Sequence, residues 1–455
     1  EIWYWENEYD SDANVAVKPI RGASASHTHA IHYADGKIWI SNYGCKVTAL
    51  DAKTGEVAFE ADNLCAEIDL NSPLGKGIPG NSGWYNAQSQ FPPSIYYKGN
   101  TFIWCVGGQG EGVHGGRLFC GGYDMDTGAK KWRTFLQPPC GQTSDKTSAK
   151  AFEQDIMGGK FLNCEPAFRE EGKAWGQWLV DNCDKIWLHS PKVTEPPYAV
   201  KACEMDEDIL RNDWGDMRSN SGISNVWGYM PLDKEDGIIY YGMAQPGPDR
   251  NGTHAPGPRL FGTAFVALDA RTGEFLWAYQ TSPRDLWDYD CSWNTMLAET
   301  MVRGQNRKVM IGGCKNGIIY VLDAATGYAY HALETPFIKR CTDTNAGSNG
   351  KSLCTLYDPT DRIDMEKPWL NWPDTGGFWE NCRTSGCLES DIAFDSERNM
   401  IYAGLYNLPE WVLVGNADHR GASVAGCNAG CRDERGWSTK SAADHGIPIN
   451  SSIVA

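Results

Sequence analysis

The sequence predicts an all-β chain folded as a radial β-propeller. Three observations carry this. One hairpin motif recurs four times, short aromatic and β-branched strands fill the space between the copies, and no long stretch shows sustained helical periodicity.

The first copy is Val47-Thr48-Ala49-Leu50-Asp51-Ala52-Lys53-Thr54-Gly55-Glu56. The second is Tyr123-Asp124-Met125-Asp126-Thr127-Gly128, followed by Trp132. The third runs from Val266 through Asp269, Thr272 and Gly273 to Trp277. The fourth is Val321-Leu322-Asp323-Ala324-Ala325-Thr326-Gly327, with Tyr330 read at the tryptophan position. Each reads as apolar strand, Asp-x-x-Thr-Gly turn, apolar strand. The Asp side chain can cap the turn, and Gly supplies the positive φ that a tight hairpin needs. Lys37–Ile40, Thr101–Trp104, Gly237–Tyr241 and Met400–Ala403 read as further strands, bounded by Gly, Asp or Asn.

The spacing of the copies is uneven. Asp51 to Asp124 and Asp269 to Asp323 are each about one to one-and-a-half blade lengths. The gap from Asp124 to Asp269 is longer and must hold another blade plus loops. We expect one propeller domain over residues 1–455, with long cysteine-rich insertions near 138–220 and 338–390.

Composition narrows the setting. The chain has 455 residues, and its 50 Gly and 19 Trp fit many turns and a tryptophan per blade. Sixteen Cys, with no C-x2-C spacing, favour disulfides in an oxidising compartment over zinc. Most cysteines are expected to be bridged, with Cys427–Cys431 a local pair and 138–220 heavily cross-linked. No C-x-x-C-H motif is present to attach a c-type haem. The net charge of −17 disfavours nucleic acid and suits a basic electron-transfer partner, or solubility alone. No apolar run reaches membrane-spanning length. The reading is therefore a secreted, periplasmic or cell-surface protein.

The repeats, with Trp287-Asp288-Tyr289-Asp290 after the third, resemble the pyrroloquinoline quinone (PQQ)-dependent alcohol dehydrogenases. Four further segments carry the resemblance in order: Arg21-Gly22, Gly107–Gly116, Trp227-Gly228 with Gly242-Met243-Ala244-Gln245-Pro246, and Lys315-Asn316-Gly317 with Tyr320-Val321-Leu322-Asp323. Tyr402–Pro409, with Asn407, is similar to a later pocket strand. The resemblance implies an eight-bladed quinoprotein propeller, incomplete at both ends in this chain. An additional chain, or self-assembly, would then complete the ring.

It also implies a site. PQQ is a flat tricarboxylate with an electrophilic carbonyl, so it needs an apolar floor, cations and a metal ion. Trp227 would be the floor. Arg21 and Lys315 would neutralise its acidic oxygens, with Asn407 beside them. Asp288, Asp290, Glu111 and Gln245 would ligate calcium or a lanthanide ion. A second Asp at the place of Asp290 goes with lanthanide-dependent members of the family. Asp288 would be the base that takes the proton of a small primary alcohol. Electrons would leave to a separate cytochrome or copper protein.

Each assignment has a structural counterpart. Trp227 could be one more blade-packing Trp, Asp288 and Asp290 turn caps, and Lys315 and Arg21 surface charges. Gln245 stands where the family has Asn, and Glu111 lies one residue past the family's Glu. His27, His29 and His32 read as polar strand residues rather than a metal cluster. The alternative to an enzyme is a non-catalytic secreted propeller that serves as a binding or surface-assembly module.

Overall fold

A computed structural model gives the architecture. It describes residues 3–4, 31–42, 46–61, 64, 93–106, 119–136, 175–190, 192–215, 222–223, 226, 228–247, 257–285, 289–291, 293, 295–336, 353–354, 376–380, 387–388, 390–407, 410–414, 437–438 and 450–454.

Within these residues the chain forms a series of antiparallel meanders. The first blade is His32–Ala34, Lys37–Asn42, Lys46–Asp51 and Val57–Ala61. The second is Ser94–Tyr96, Thr101–Val106, Phe119–Asp124 and Lys130–Phe135. The third is Leu232–Asp233, Ile238–Gly242, Ala264–Asp269 and Phe275–Gln280. The fourth is Met296–Val302, Gln305–Gly313, Ile318–Asp323 and Ala329–Glu334. A fifth sheet of three strands follows: Ile392–Asp395, Met400–Asn407 and Asn450–Val454. A separate small sheet joins Leu353–Cys354, Gly376–Glu380, Glu410–Val414 and Trp437–Ser438.

The first strands of the blades meet. His32 of the first blade stacks on Tyr229, just before the third, with ring centroids 6.0 Å apart. Ser94 Oγ of the second blade donates to Met230 O at 2.7 Å. Thr295 Oγ1, entering the fourth blade, donates to Tyr229 O at 3.2 Å. Four blades converging on Tyr229 and Met230 is a radial arrangement, not two facing sheets. His32 is thus an aromatic packing residue in a strand.

The repeated turn joins the third and fourth strands of each four-stranded blade, and its chemistry is the same each time. Asp51 Oδ1 accepts from Lys53 N at 2.8 Å and Thr54 N at 2.9 Å. Asp323 Oδ1 accepts from Ala325 N at 3.1 Å and Thr326 N at 2.9 Å. Asp124 and Asp269 do likewise. These local bonds satisfy turn amides that would otherwise need water.

The tryptophans clasp one blade to the next. Trp132 Nε1 donates to Ala270 O at 3.2 Å, and a Cβ at Gly273 would lie 2.4 Å from its ring. Trp277 Nε1 donates to Ala324 O at 2.9 Å, and a Cβ at Gly327 would lie 2.5 Å from its ring. Trp3 reaches Ala52 O in the first blade in the same way, at 3.2 Å. The turn glycine is thus needed twice over, for its positive φ and for the ring that lies on it. Trp132 and Trp277 are almost fully buried, as the wedge reading requires.

Tyr330 corrects the reading of the fourth copy. Trp277 pairs across from Ala267, and the residue in the equivalent register, across from Val321, is His331. Tyr330 turns back on its own hairpin. Its hydroxyl donates to Asp323 Oδ2 at 2.8 Å, and the Arg307 guanidinium lies 4.4 Å from its ring centroid. The one-residue offset puts it on the other side of the strand.

The apolar core lies between blades. Trp39, Phe102, Trp104 and Tyr123 fill the layer between the first and second. Tyr240, Phe265, Trp277, Tyr279 and Tyr320 fill that between the third and fourth. Val309, Ile311, Leu388, Ile392 and Leu405 bind the fourth blade to the fifth sheet.

Part of the 138–220 segment enlarges the third blade. Ile186–His189 adds in parallel to its fourth strand, and Ala199–Lys201 pairs with Ile186–His189. Cys183–Cys203 ties this addition together. Trp187 Nε1 donates to Thr326 O at 3.0 Å, so two tryptophans hold the same fourth-blade turn. Among the described residues, Cys105–Cys120 and Cys291–Cys314 are also bridged, and Cys387 is disulfide-bonded. Cys427 and Cys431 lie outside the described residues.

The same segment latches the loop that leads into the third strand. Asp213 is fully buried, and its two carboxylate oxygens accept from Arg259 N at 2.6 Å and Leu260 N at 2.7 Å. Burial pushes the Asp213 carboxyl up to about 8, outweighing the pull of those amides and of the Arg259 and Arg284 guanidiniums. Because the folded value lies above the unfolded one, near 4, the neutral group's contribution is complete below about pH 4. It is lost as pH rises through about 8. Wild-type stability in denaturant titrations should therefore fall relative to Asp213→Asn between pH 5 and 9 (a range on the order of the shift itself). Parallel pH profiles for the two proteins would show that the carboxyl titrates normally.

Candidate cofactor and active site

The site grows from the ends of the third and fourth blades. The second strand of the third blade stops at Gly242, and the chain continues through buried Met243, Ala244 and Gln245. A Cβ at Gly242 would lie 1.7 Å from Cys291 O, so only glycine lets the 290–291 backbone rest there. Cys291 N donates to Met243 O at 3.0 Å and fixes that contact.

On the fourth blade, Gln305–Gly313 turns through Cys314, Lys315, Asn316 and Gly317 into the third strand. Gly317 has φ 83°, and its N–H donates to Cys314 O at 2.9 Å. Asn316 braces the turn. Its Oδ1 accepts from Ile318 N at 3.1 Å, and its Nδ2 donates to Ser282 Oγ at 3.2 Å and Tyr320 Oη at 3.1 Å.

These two segments meet at a buried ion pair. Lys315 Nζ lies 2.6 Å from Asp290 Oδ2, with the side chains 6% and 1% exposed. Lys315 N also donates to Asp290 O at 3.0 Å, and Gln245 N donates to Asp290 Oδ1 at 2.7 Å. Cys387 N reaches Lys315 O at 3.0 Å. Neither charge could be held here alone, because desolvation of an unpaired ion costs several kcal/mol.

The loop before Asp290 is pinned as well. Buried Asp285 accepts through Oδ2 from Thr263 Oγ1 at 2.6 Å and from Tyr289 N at 2.9 Å. Arg284 N donates to Pro258 O at 2.7 Å.

Of the residues singled out from the sequence, the structure brings Asp290, Lys315 and Gln245 together. Gln245 touches Asp290 through its backbone amide. Asn407 ends the strand Met400–Asn407, paired with Asn450. Asp288, Trp227, Arg21 and Glu111, and likewise His27 and His29, lie outside the described residues. Asp290 sits in the irregular connection between blades and not in a strand, so alternation along a strand does not set its direction. Among the described residues no three His, Cys, Asp or Glu side chains gather as a metal cluster. Sequence reasoning passed over Asp285 and the Cys291–Cys314 bridge, and quoted Gly242 only as part of a motif. Only the cysteines gave a signal, by standing next to Asp290 and Lys315.

The fold is a β-propeller similar to those of the quinoprotein dehydrogenases, as the motifs implied. Residues 201–341, which span the third and fourth blades and the ion pair, match the PQQ family model, the glucose/ethanol/alcohol dehydrogenase β-propeller domain. The chain is 24% identical over 377 residues to the dehydrogenase subunit of the quinone alcohol dehydrogenase of Gluconacetobacter polyoxogenes, covering 82% of this chain and 41% of that protein. It is 28% identical over 216 residues to the putative dehydrogenase XoxF of Paracoccus denitrificans, covering 45% and 34%. In fold it is similar to the solved quinohemoprotein alcohol dehydrogenase ADHIIG of Pseudomonas putida HK5. That likeness has a TM-score of 0.51 at 19% identity, over 84% of this chain and 43% of that one. The chain thus spans about two fifths of the length of the curated relatives it matches.

The donor set fits such a cofactor chemically. A carboxylate offers about four lone-pair sites and is a hard oxygen ligand, so Asp290 is of the chemical type that a hard cation takes. The Lys315 ammonium has three donors, enough to serve both Asp290 and an anionic ligand oxygen.

Proposed function

We propose that this chain is the cofactor-bearing part of an extracytoplasmic PQQ-dependent dehydrogenase that oxidises a small primary alcohol or related substrate. The buried Asp290–Lys315 pair supports this reading most, because it joins a carboxylate and an ammonium drawn from two of the ordered motifs. When bound, PQQ would supply an electrophilic carbonyl and a two-electron acceptor. Lys315 and Arg21 would hold its anionic oxygens, Trp227 its ring face and Asn407 its edge. Asp290, Asp288, Glu111 and Gln245 would hold calcium or a lanthanide ion. Asp288 would accept the alcohol proton. A separate cytochrome or copper protein would take the electrons, drawn by the acidic surface.

Three disulfides among the described residues, with the bonded Cys387, support an oxidising location, secreted, periplasmic or at the cell surface. Among the described residues no helix is long and apolar enough to cross a membrane.

The test is reconstitution with PQQ and calcium or lanthanum, followed by dye-linked oxidation of a primary alcohol. Asp288→Asn should lower kcat by about 10²–10⁴-fold, the usual weight of a general base, with circular dichroism unchanged. A smaller effect would remove Asp288 from the role of base. One observation favours a second reading, a non-catalytic binding propeller: the Asp290 charge is already balanced by Lys315 without an added cation. Absence of PQQ and metal uptake by the wild-type protein would decide for it.

A further inference from the structure

Two cysteines flank the ion pair on the chain. Cys291 directly follows Asp290, and Cys314 directly precedes Lys315. They are bonded to each other, 23 residues apart in sequence, and neither has any solvent exposure. The bond closes a loop that contains the first two strands of the fourth blade. It therefore fastens the turn carrying Lys315 to the interblade segment carrying Asp290.

Several bonds around the pair converge on this bridge. Cys291 N is held by Met243 O, and the missing side chain of Gly242 lets Cys291 O approach. Thr281 Oγ1 lies 2.9 Å from Cys291 Sγ. Cys314 N donates to Ile318 O at 3.2 Å, and Cys314 O accepts the Gly317 amide that closes the Lys315 turn. Lys315 N then reaches Asp290 O. Cys105–Cys120 in the second blade offers a contrast. It links directly opposed residues in neighbouring strands of one sheet, and among the described residues it flanks no buried ion pair.

We propose that Cys291–Cys314 is a positioning element of the cofactor site, which fixes the Asp290 carboxylate and the Lys315 ammonium at one separation across the boundary of the third and fourth blades. In its cofactor consequence the inference rests on the function proposed above; in its geometry it does not. A long lysine and a carboxylate on two independently moving segments would sample many separations, and ligand binding would have to bear the entropy of fixing them. The covalent bond removes that freedom before any ligand arrives.

The test compares C291A/C314A with C105A/C120A in the full chain. Hydrogen exchange is read at the amides of residues 245, 291 and 315, and at Val309–Gly313 and Ile318–Leu322 in the fourth-blade strands. In C291A/C314A the three site amides should lose protection by about tenfold or more while the blade strands keep theirs, a local and not a global opening. Terbium titration, followed by sensitised luminescence, should show affinity weakened by about 10–100-fold, the size typical of lost support around a metal ligand. C105A/C120A should leave exchange at the three site amides unchanged. Unchanged exchange at the three amides, or an equal loss across the whole fourth blade, would overturn the proposal. If exchange responds as stated but wild-type protein binds neither terbium nor PQQ, the positioning role stands and the dehydrogenase reading falls. C291S/C314S, which keeps side-chain volume and polarity, is the second variant. Should neither pair fold while C105A/C120A does, the bond is a folding element and the proposal fails.

Discussion

Trp277→Ala should lower the stability of the chain by about 3–5 kcal/mol, the range for removing a large buried aromatic. The ring is 1% exposed, lies on Gly327 and donates to Ala324 O. Its loss empties the layer between the third and fourth blades, where no neighbouring side chain can follow a hole that size without leaving its own rotamer. Trp277→Phe should cost less, because it keeps most of the ring and gives up the N–H bond. Urea unfolding of the three proteins checks the order. A Trp277→Ala protein within about 1 kcal/mol of wild type, the ordinary effect of a surface change, would mean the clasp is not what joins these blades.

Lys315→Met should be comparably severe. It leaves the Asp290 carboxylate buried with the Gln245 amide but without its counter-charge, and breaking one side of a buried pair costs about 3–5 kcal/mol. Adding Asp290→Asn should recover much of that loss, since the neutral amide no longer needs the ammonium. The expected signature is thus a double variant more stable than Lys315→Met alone, measured by denaturant titration. Additive losses would show that the two side chains do not depend on each other. Calorimetry with PQQ adds a second readout, in which both single variants should bind more weakly than wild type.

Local chemistry explains what the sequence revealed. Asp51, Asp124, Asp269 and Asp323 cap their turns through amides two and three residues on, so the motif can be read without any distant partner. Trp132 and Trp277 follow their aspartates at one fixed offset, because the strand after the turn aims that position at the next blade. Tyr330 was misread because it sits one residue short of that offset, and aromatic character alone does not report which side of a strand it occupies. The parallel addition of Ile186–His189 to Phe275–Gln280 was not legible either. It joins segments nearly ninety positions apart, about two blade lengths, and nothing in either strand names the other.

The site divides the same way. Asp290 and Lys315 stood out through their motifs, and the fold brings them into contact. Asp290 lies not in a strand but in an irregular connection, where Asp285 accepts from the Tyr289 amide, a local geometry that the Trp-Asp-Tyr-Asp string does not spell out. The Cys291–Cys314 pairing could not be read, because connectivity among many cysteines is a property of the fold.

Tyr330 has a consequence for how load passes around the molecule. The second-to-third and third-to-fourth boundaries are riveted by an indole that crosses from one blade into the backbone of the next. At the fourth blade the corresponding aromatic folds back onto Asp323 and Arg307, so among the described residues the joint with Ile392–Asp395 and its neighbours is held by an apolar cluster and by Asn399, which bonds Thr300 and Met301, without an indole crossing it. Apolar contact resists separation but has little directional stiffness against sliding. Under torsion the fourth blade and the sheet beyond it form the compliant joint, while the blades that carry Asp290 and Lys315 turn as one block.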